Sequence, residues 1–183
     1  ADHFMGDEQF RDAEGVERVV GVRIPDMIEF WGFEDYPSDA VTIDLGGRVL
    51  DVLGIPGHNA TSIAVYDRRT QLLLTGDTVY PGHIFIFSPE DWRIFIDSMK
   101  RLAAFCRDHP VAWVLGCHIE FTTTPKQPYG YSTREQPDET HLQLEPSIIQ
   151  RILDAALEME DDPQCTIYDD FVIHIVYECG LMW

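Results

Sequence analysis

Three short segments each put a metal-competent side chain where an apolar, strand-like run gives way to a loop. They are GIPGHNATS with His58, LLLTGDTVY with Asp77, and WVLGCHIEF with His118. The separations along the chain are far too long for a local zinc finger, so a site made of these residues must be assembled by the tertiary fold. Neutral imidazole and carboxylate together suit zinc, manganese or iron. The chain also begins Ala1-Asp2-His3, a further carboxylate–imidazole pair. A lone histidine or a lone Gly-Asp-Thr is commonly structural. The ordered set is what suggests a metal centre.

Other residues could serve such a centre. His83 follows Asp77 in DTVYPGHIF and could face a substrate mouth; Tyr80 could donate to a substrate oxyanion. Both are candidate substrate-binding residues, and a loop histidine and a packing aromatic are their plainer readings. Cys117 sits beside His118, but neighbours on a strand point to opposite faces, which places it in the core. His109, before Pro110, reads as a helix end. His141 lies in a long loop and could reach the site. His174 alternates with Val172 and Val176 as a core or exposed strand histidine.

The elements that position these residues follow from hydrophobic period. Residues 4–13 suit a short helix. Residues 15–39 read as irregular, and Trp31, Phe33 and Tyr36 there make an aromatic patch, either a lid or a packed loop. AVTIDLGGRVLDVLGI alternates on both sides of Gly46-Gly47 and predicts a hairpin; SIAVYDRRTQLLLTGD repeats the pattern. Ser88-Pro89-Glu90-Asp91 is a helix start, after which Trp92, Phe95, Ile96, Met99, Leu102 and Ala103 recur at helical spacing. VAWVL predicts a buried strand, PSIIQRILDAALEME an amphipathic helix, and CTIYDDFVIHIVY extended structure. The proline-punctuated stretch 125–141 is a long loop. Hairpins followed by helix, strand, helix and strands imply sheets covered by helices, in an α/β or α+β class.

Composition narrows the partners. The chain has 183 residues, one domain's worth, and 45% of them are hydrophobic. Thirteen Lys plus Arg against 32 Asp plus Glu give a formal net charge of −19. Such a surface repels phosphate backbones, so nucleic-acid and anionic-membrane partners are excluded in favour of a small-molecule substrate. No apolar run approaches the ~20 residues that span a bilayer. The four cysteines, Cys106, Cys117, Cys165 and Cys179, have spacings that suggest neither a zinc ribbon nor a disulfide framework, which points to a reducing cytoplasm.

G-I-P-G-H-N-A-T-S, T-G-D-T-V-Y and G-C-H, in this order behind Asp2-His3, resemble the metallo-β-lactamase-fold hydrolases, nearest the glyoxalase II (hydroxyacylglutathione hydrolase)-like branch. That resemblance covers residue 2 to about 120. It implies an α+β, αββα sandwich over a single domain of residues 1–183. It also implies that Ala1-Asp2-His3 ends an H-x-H-A-D-H motif, so that the chain is N-terminally truncated and lacks its first strands and two ligand histidines. Carried over, one metal site would be Asp2, His3 and His118, with Asp77 bridging to a second site that keeps His58. A full-length parent would bind two zinc ions, with iron or manganese as alternatives. The implied activity is hydrolysis of a thioester, ester or lactone, with Asp2 orienting the nucleophile or carrying its proton; the fragment itself could be inactive. The resemblance also admits an iron-dependent persulfide-dioxygenase-like oxygenase or a degenerate, non-catalytic metal-binding module. Glutathione specificity is not expected, because Arg151 is the only base after Glu145.

Overall fold

The structure, a computed structural model, describes residues 6–10, 12–15, 23–130 and 132–180. Two sheets and the helices against them make the mixed α and β architecture that the hydrophobic periods imply. Six strands form the larger sheet in the order β1 (Ala40–Asp44), β2 (Val49–Gly54), β3 (Ile63–Asp67), β4 (Leu72–Gly76), β6 (Trp113–Gly116), β7 (Gln143–Leu144). Three form the smaller: β5 (His83–Ile86), β9 (Val172–Ile175), β8 (Thr166–Ile167). Both expected hairpins are present. At the first, the Asp44 carboxylate accepts from the amides of Gly46 and Gly47, both at 2.9 Å, which holds the turn in register.

Strand direction decides where the chemistry falls. β2 and β3 are antiparallel, β3 and β4 antiparallel, β4 and β6 parallel. The strands β2, β4 and β6 therefore run the same way, and the loops after them open at one end of the sheet. His58, Asp77 and His118 lie on those three loops.

Helix α2 (Pro89–Asp108) starts as its sequence says: the Ser88 hydroxyl accepts from the Asp91 amide at 3.1 Å, worth about 1 kcal/mol to the helix. Its buried face, Trp92, Phe95, Ile96, Met99, Leu102 and Ala103, packs on α3 (Ser147–Glu158) and shares one core with side chains of both sheets. Among the described residues no helix is long and apolar enough to cross a membrane.

Three expectations need correction. Residues 15–39 are not wholly irregular, because Ile24–Trp31 forms helix α1. Pro25 opens it, Gly32 closes it, and Met27 is buried with Phe33 and Val52 in a second apolar cluster. Trp31 and Tyr36 pack against that cluster, so the aromatic patch is a packed layer on the sheet rather than a cover over the site. Cys165 and Cys179 meet as a disulfide, Cα–Cα 6.5 Å, because α4 (Val176–Cys179) turns the chain back after β9. Cys117 is exposed: β6 ends at Gly116, and strand alternation no longer governs the next residue.

Candidate metal centre

Gly76 ends β4 with φ +55, a left-handed turn that directs Asp77 out of the strand. The turn is braced from below. Thr75, fully buried, donates its hydroxyl to Val79 O at 2.7 Å, and the Thr78 amide returns to Thr75 O at 3.1 Å. On the neighbouring strand, Gly116 lies so close to this turn that an added Cβ would stand 2.2 Å from Tyr80 Cβ and 2.7 Å from Val79 O. Only a residue without a side chain permits that approach. The parallel bonding then continues past the strand ends, with the Cys117 amide donating to Gly76 O at 3.1 Å, and the next residue is His118.

The outcome is one carboxylate between two imidazoles. Asp77 Oδ1 is 3.2 Å from His118 Nε2, and Asp77 Oδ2 is 3.5 Å from His58 Nε2. The three residues drawn from distant points of the sequence do converge. Two ligands 2.0–2.1 Å from a tetrahedral zinc ion lie about 3.3–3.4 Å apart, so both separations match edges of a coordination tetrahedron. Each oxygen serves a different imidazole, which is the arrangement of a carboxylate shared by two cations. His58 Nδ1 faces Phe85 O at 3.0 Å. A carbonyl only accepts, so Nδ1 carries the hydrogen and the Nε2 lone pair points to Asp77. The donor set therefore fits a divalent metal.

Asp2 and His3, the other expected ligands, lie outside the described residues. Tyr80 is 1% exposed; its hydroxyl donates to His83 O and its ring packs edge-on to His118 with centroids 5.7 Å apart. It steadies the His118 ring. His83 is likewise 1% exposed, with Nε2 on Tyr129 O at 2.9 Å and Nδ1 3.4 Å from His174 Nδ1. Both are held inside the fold instead of lining an open mouth. His141 is exposed on its loop, and burial pushes the His174 pKa below the ordinary imidazole value against the opposing pull of Gly180 O.

Two neighbours were not singled out from sequence. Phe87, 47% exposed, sits edge-on to His58 with centroids 5.6 Å apart and puts an apolar surface beside it. Glu120 accepts from the His83 amide at 2.9 Å and anchors the segment behind Tyr80. Phe87 ends the HIFIF run, and its single-residue overhang beyond β5 is the signal that was there to read.

Comparison with known proteins adds an independent finding. The profile of the family described as "Metallo-beta-lactamase superfamily" matches residues 1–164. The hydroxyacylglutathione hydrolase of Ectopseudomonas mendocina (strain ymp) is 32% identical over 127 residues, 66% of this chain and 44% of that protein. The acyl-coenzyme A thioesterase MBLAC2 of Homo sapiens is 39% identical over 52 residues, 28% of this chain and 19% of that protein. The chain thus spans less than half the length of these relatives. Among solved structures, a metallo-beta-lactamase from Pontibacter korlensis aligns with TM-score 0.42 at 15% identity, covering 66% of this chain and 46% of its own.

Proposed function

This chain belongs to the metallo-beta-lactamase superfamily, and on that premise we propose that it serves a metal-dependent hydrolase of small acyl substrates, a thioester, ester or lactone. The observation that carries the reading is the Asp77 carboxylate placed between His58 Nε2 and His118 Nε2. His58, Asp77 and His118 would hold the metal, zinc by ligand type, and Asp2 and His3 are assigned to the same centre by the sequence motif alone. A bound divalent cation supplies Lewis acidity and lowers the pKa of coordinated water toward ~7.

The chain's own residues prepare the site. Phe85 O fixes the His58 tautomer, and Tyr80 limits the swing of the His118 ring. Asp77, with one oxygen toward each imidazole, would set the spacing of whatever the two imidazoles held. Asp2 is assigned to orient the attacking water or carry its proton. Phe87 offers apolar contact to an acyl group beside His58. The net charge of −19 disfavours a phosphodiester chain as substrate, and the relatives named as a hydrolase and a thioesterase support acyl transfer to water.

The test is hydrolysis of a simple acyl thioester by chelator-treated protein during zinc addition, followed by thiol release. Zinc-dependent release that saturates and is lost in Asp77→Asn is expected. Flat release with zinc, iron and manganese alike sinks the hydrolase reading of this chain. Oxygen uptake in place of thiol release would replace it with an oxygenase.

A further inference from the structure

We propose that Cys165, His174 and Cys179, once the two cysteines are reduced, form a binding site for a thiophilic divalent cation of the zinc type, separate from the His58–Asp77–His118 centre. The three donors arrive on different elements. β8 runs antiparallel to β9 with Thr166 opposite Ile173, so the ladder continued by one residue sets Cys165 across from His174. Helix α4 follows β9 directly, and Cys179 at its end folds back so that its Sγ lies 3.1 Å from Ile175 O. One ligand atom from each of the three lies within 4.8 Å of the other two. The Ile175 amide also donates to Cys165 Sγ at 3.2 Å, a bond that favours the thiolate form.

A proton count gives the second, independent argument. Tyr129 O faces His83 Nε2 at 2.9 Å, His83 Nδ1 faces His174 Nδ1 at 3.4 Å, and His174 Nε2 faces Gly180 O at 2.6 Å. Both ends of this row are carbonyls, which only accept, so its three contacts call for three positive centres. Two neutral imidazoles bring one N–H each. Making all three contacts hydrogen bonds takes one positive centre more, a third proton or a cation. A third proton makes an imidazolium between rings that are 1% and 0% exposed, at the cost of desolvating a charge. A cation on His174 Nε2, taking the place of the present Gly180 O contact, would supply the third positive centre instead. His174 Nδ1–H then donates to His83 Nδ1, His83 Nε2–H donates to Tyr129 O, and the two thiolates neutralise the divalent charge where it sits. In that arrangement His83 is a positioning residue that fixes the His174 tautomer.

The structure holds Cys165 and Cys179 as a disulfide, so the site is open only after reduction. A dithiol reductant breaks the S–S bond, passes two electrons and two protons to the cysteines, and is itself oxidised to its cyclic disulfide. The cation then displaces both thiol protons into solvent as it takes two thiolates. Reoxidation of the pair by an added organic disulfide, which takes the two electrons and leaves as two thiols, expels the cation.

Cobalt(II) reports the site, because thiolate ligation alone adds a near-ultraviolet charge-transfer absorption that imidazole and carboxylate ligands lack. The full chain reduced with a dithiol, then freed of it, is expected to show that absorption, saturating with one cobalt and displaced by zinc. The absorption should be absent from the oxidised protein, lost in Cys165→Ser and Cys179→Ser, and kept in Cys117→Ser. In reduced wild-type protein, zinc should also slow alkylation of Cys165 and Cys179, mapped by mass spectrometry, at least about tenfold relative to Cys106 and Cys117. No absorption and no protection in folded, reduced wild-type protein overturns the proposal. An absorption that depends on Cys117 overturns it as well. Neither readout involves hydrolysis, so failure here leaves the proposed function standing.

Discussion

His118 Nε2 stands 3.2 Å from Asp77 Oδ1, and the contact is built by backbone before any metal is considered. Parallel pairing of β4 with β6 sets Leu74 against Leu115 and Gly76 against Gly116. A register shift between Leu74 and Gly76 lets the β4 end bend toward its partner. The Cys117 amide on Gly76 O carries the pairing one step further, so Asp77 and His118 leave adjacent strands side by side. The pair is preorganised by the sheet, and any metal affinity it has should depend on keeping the two strand ends in step.

Removal of the bridging charge tests that dependence. Asp77→Asn keeps the volume and loses the anion between two imidazoles. We expect metal content, by elemental analysis, to fall from stoichiometric to trace, and thioester hydrolysis to fall at least about 100-fold, since ligand loss should exceed the ~10–100-fold typical of outer-shell changes. The metal-free thermal midpoint should stay within a few degrees of wild type. Retained metal and activity together would remove Asp77 from the centre.

Gly116→Ala asks whether the close approach of the strands matters. The new Cβ would lie 2.2 Å from Tyr80 Cβ and 3.0 Å from Gly76 O, so backbone has to move. Overpacking of this sort costs about 1–3 kcal/mol, or roughly 2–4 °C per kcal/mol for a chain of this size. The displaced strand end carries His118 with it, so metal affinity should drop along with stability in denaturant titration and chelator competition. A destabilised variant with unchanged affinity would show the ligands to be positioned by something else.

How much of this was legible in the sequence can be judged residue by residue. The hairpins, the Ser88 cap and the apolar faces of α2 and α3 rest on local rules, period and capping, and the structure follows them. The same rules were available for α1 but its eight residues carry too few apolar repeats to outweigh flanking acidic and aromatic residues. The convergence of His58, Asp77 and His118 is different in kind. Sequence supplies the ligands and their strand-end positions, yet their meeting follows from three strands sharing a direction, which is a property of topology. The row from Tyr129 through His83 and His174 to Gly180 depends on β5 pairing with β9, a parallel contact across about half of the chain. No local pattern announces such a pair. Cys165 and Cys179, 14 residues apart, were unreadable because their meeting depends on α4 turning the chain back after β9.

Acid stability should be governed by two arginine–carboxylate pairs on the β1–β4 face. Arg48 holds Asp67 below the ordinary carboxylate value of 3.8 through a hydrogen bond at 2.5 Å, helped by Thr70; Arg68 does the same for Asp51 at 2.7 Å. A carboxylate whose pKa is lower folded than unfolded contributes stability above its unfolded pKa, and that contribution is lost as the pH falls through the folded value. Wild-type stability should therefore hold from neutral pH down to about 4 and fall below it. In Asp67→Asn the thermal midpoint should be lower than wild type at pH 7, and the difference should shrink as the pH is taken from 4 toward 3. A difference that stays constant across that range would mean that Asp67 contributes by shape and not by charge.

Phe87→Ala separates recognition of the acyl group from the chemistry. The ring is nearly half exposed, touches His58 only by its edge, and is stacked at 6.4 Å on Phe85. It accepts and donates nothing to the ligands, so its removal should leave kcat for a short acyl thioester within about twofold. Contact with a longer chain is worth up to ~0.8 kcal/mol for each buried CH2, close to fourfold in KM per carbon. In wild type, KM should thus fall as the acyl chain lengthens over the first few carbons, and in Phe87→Ala that dependence should flatten while metal content stays the same. If the chain-length dependence survives the substitution, the acyl group lies elsewhere, and the apolar surface beside His58 serves to keep water off the imidazole instead. A fall in kcat at equal KM for every chain length would favour that second role, because it places the loss at the metal ligands and not at the substrate's tail.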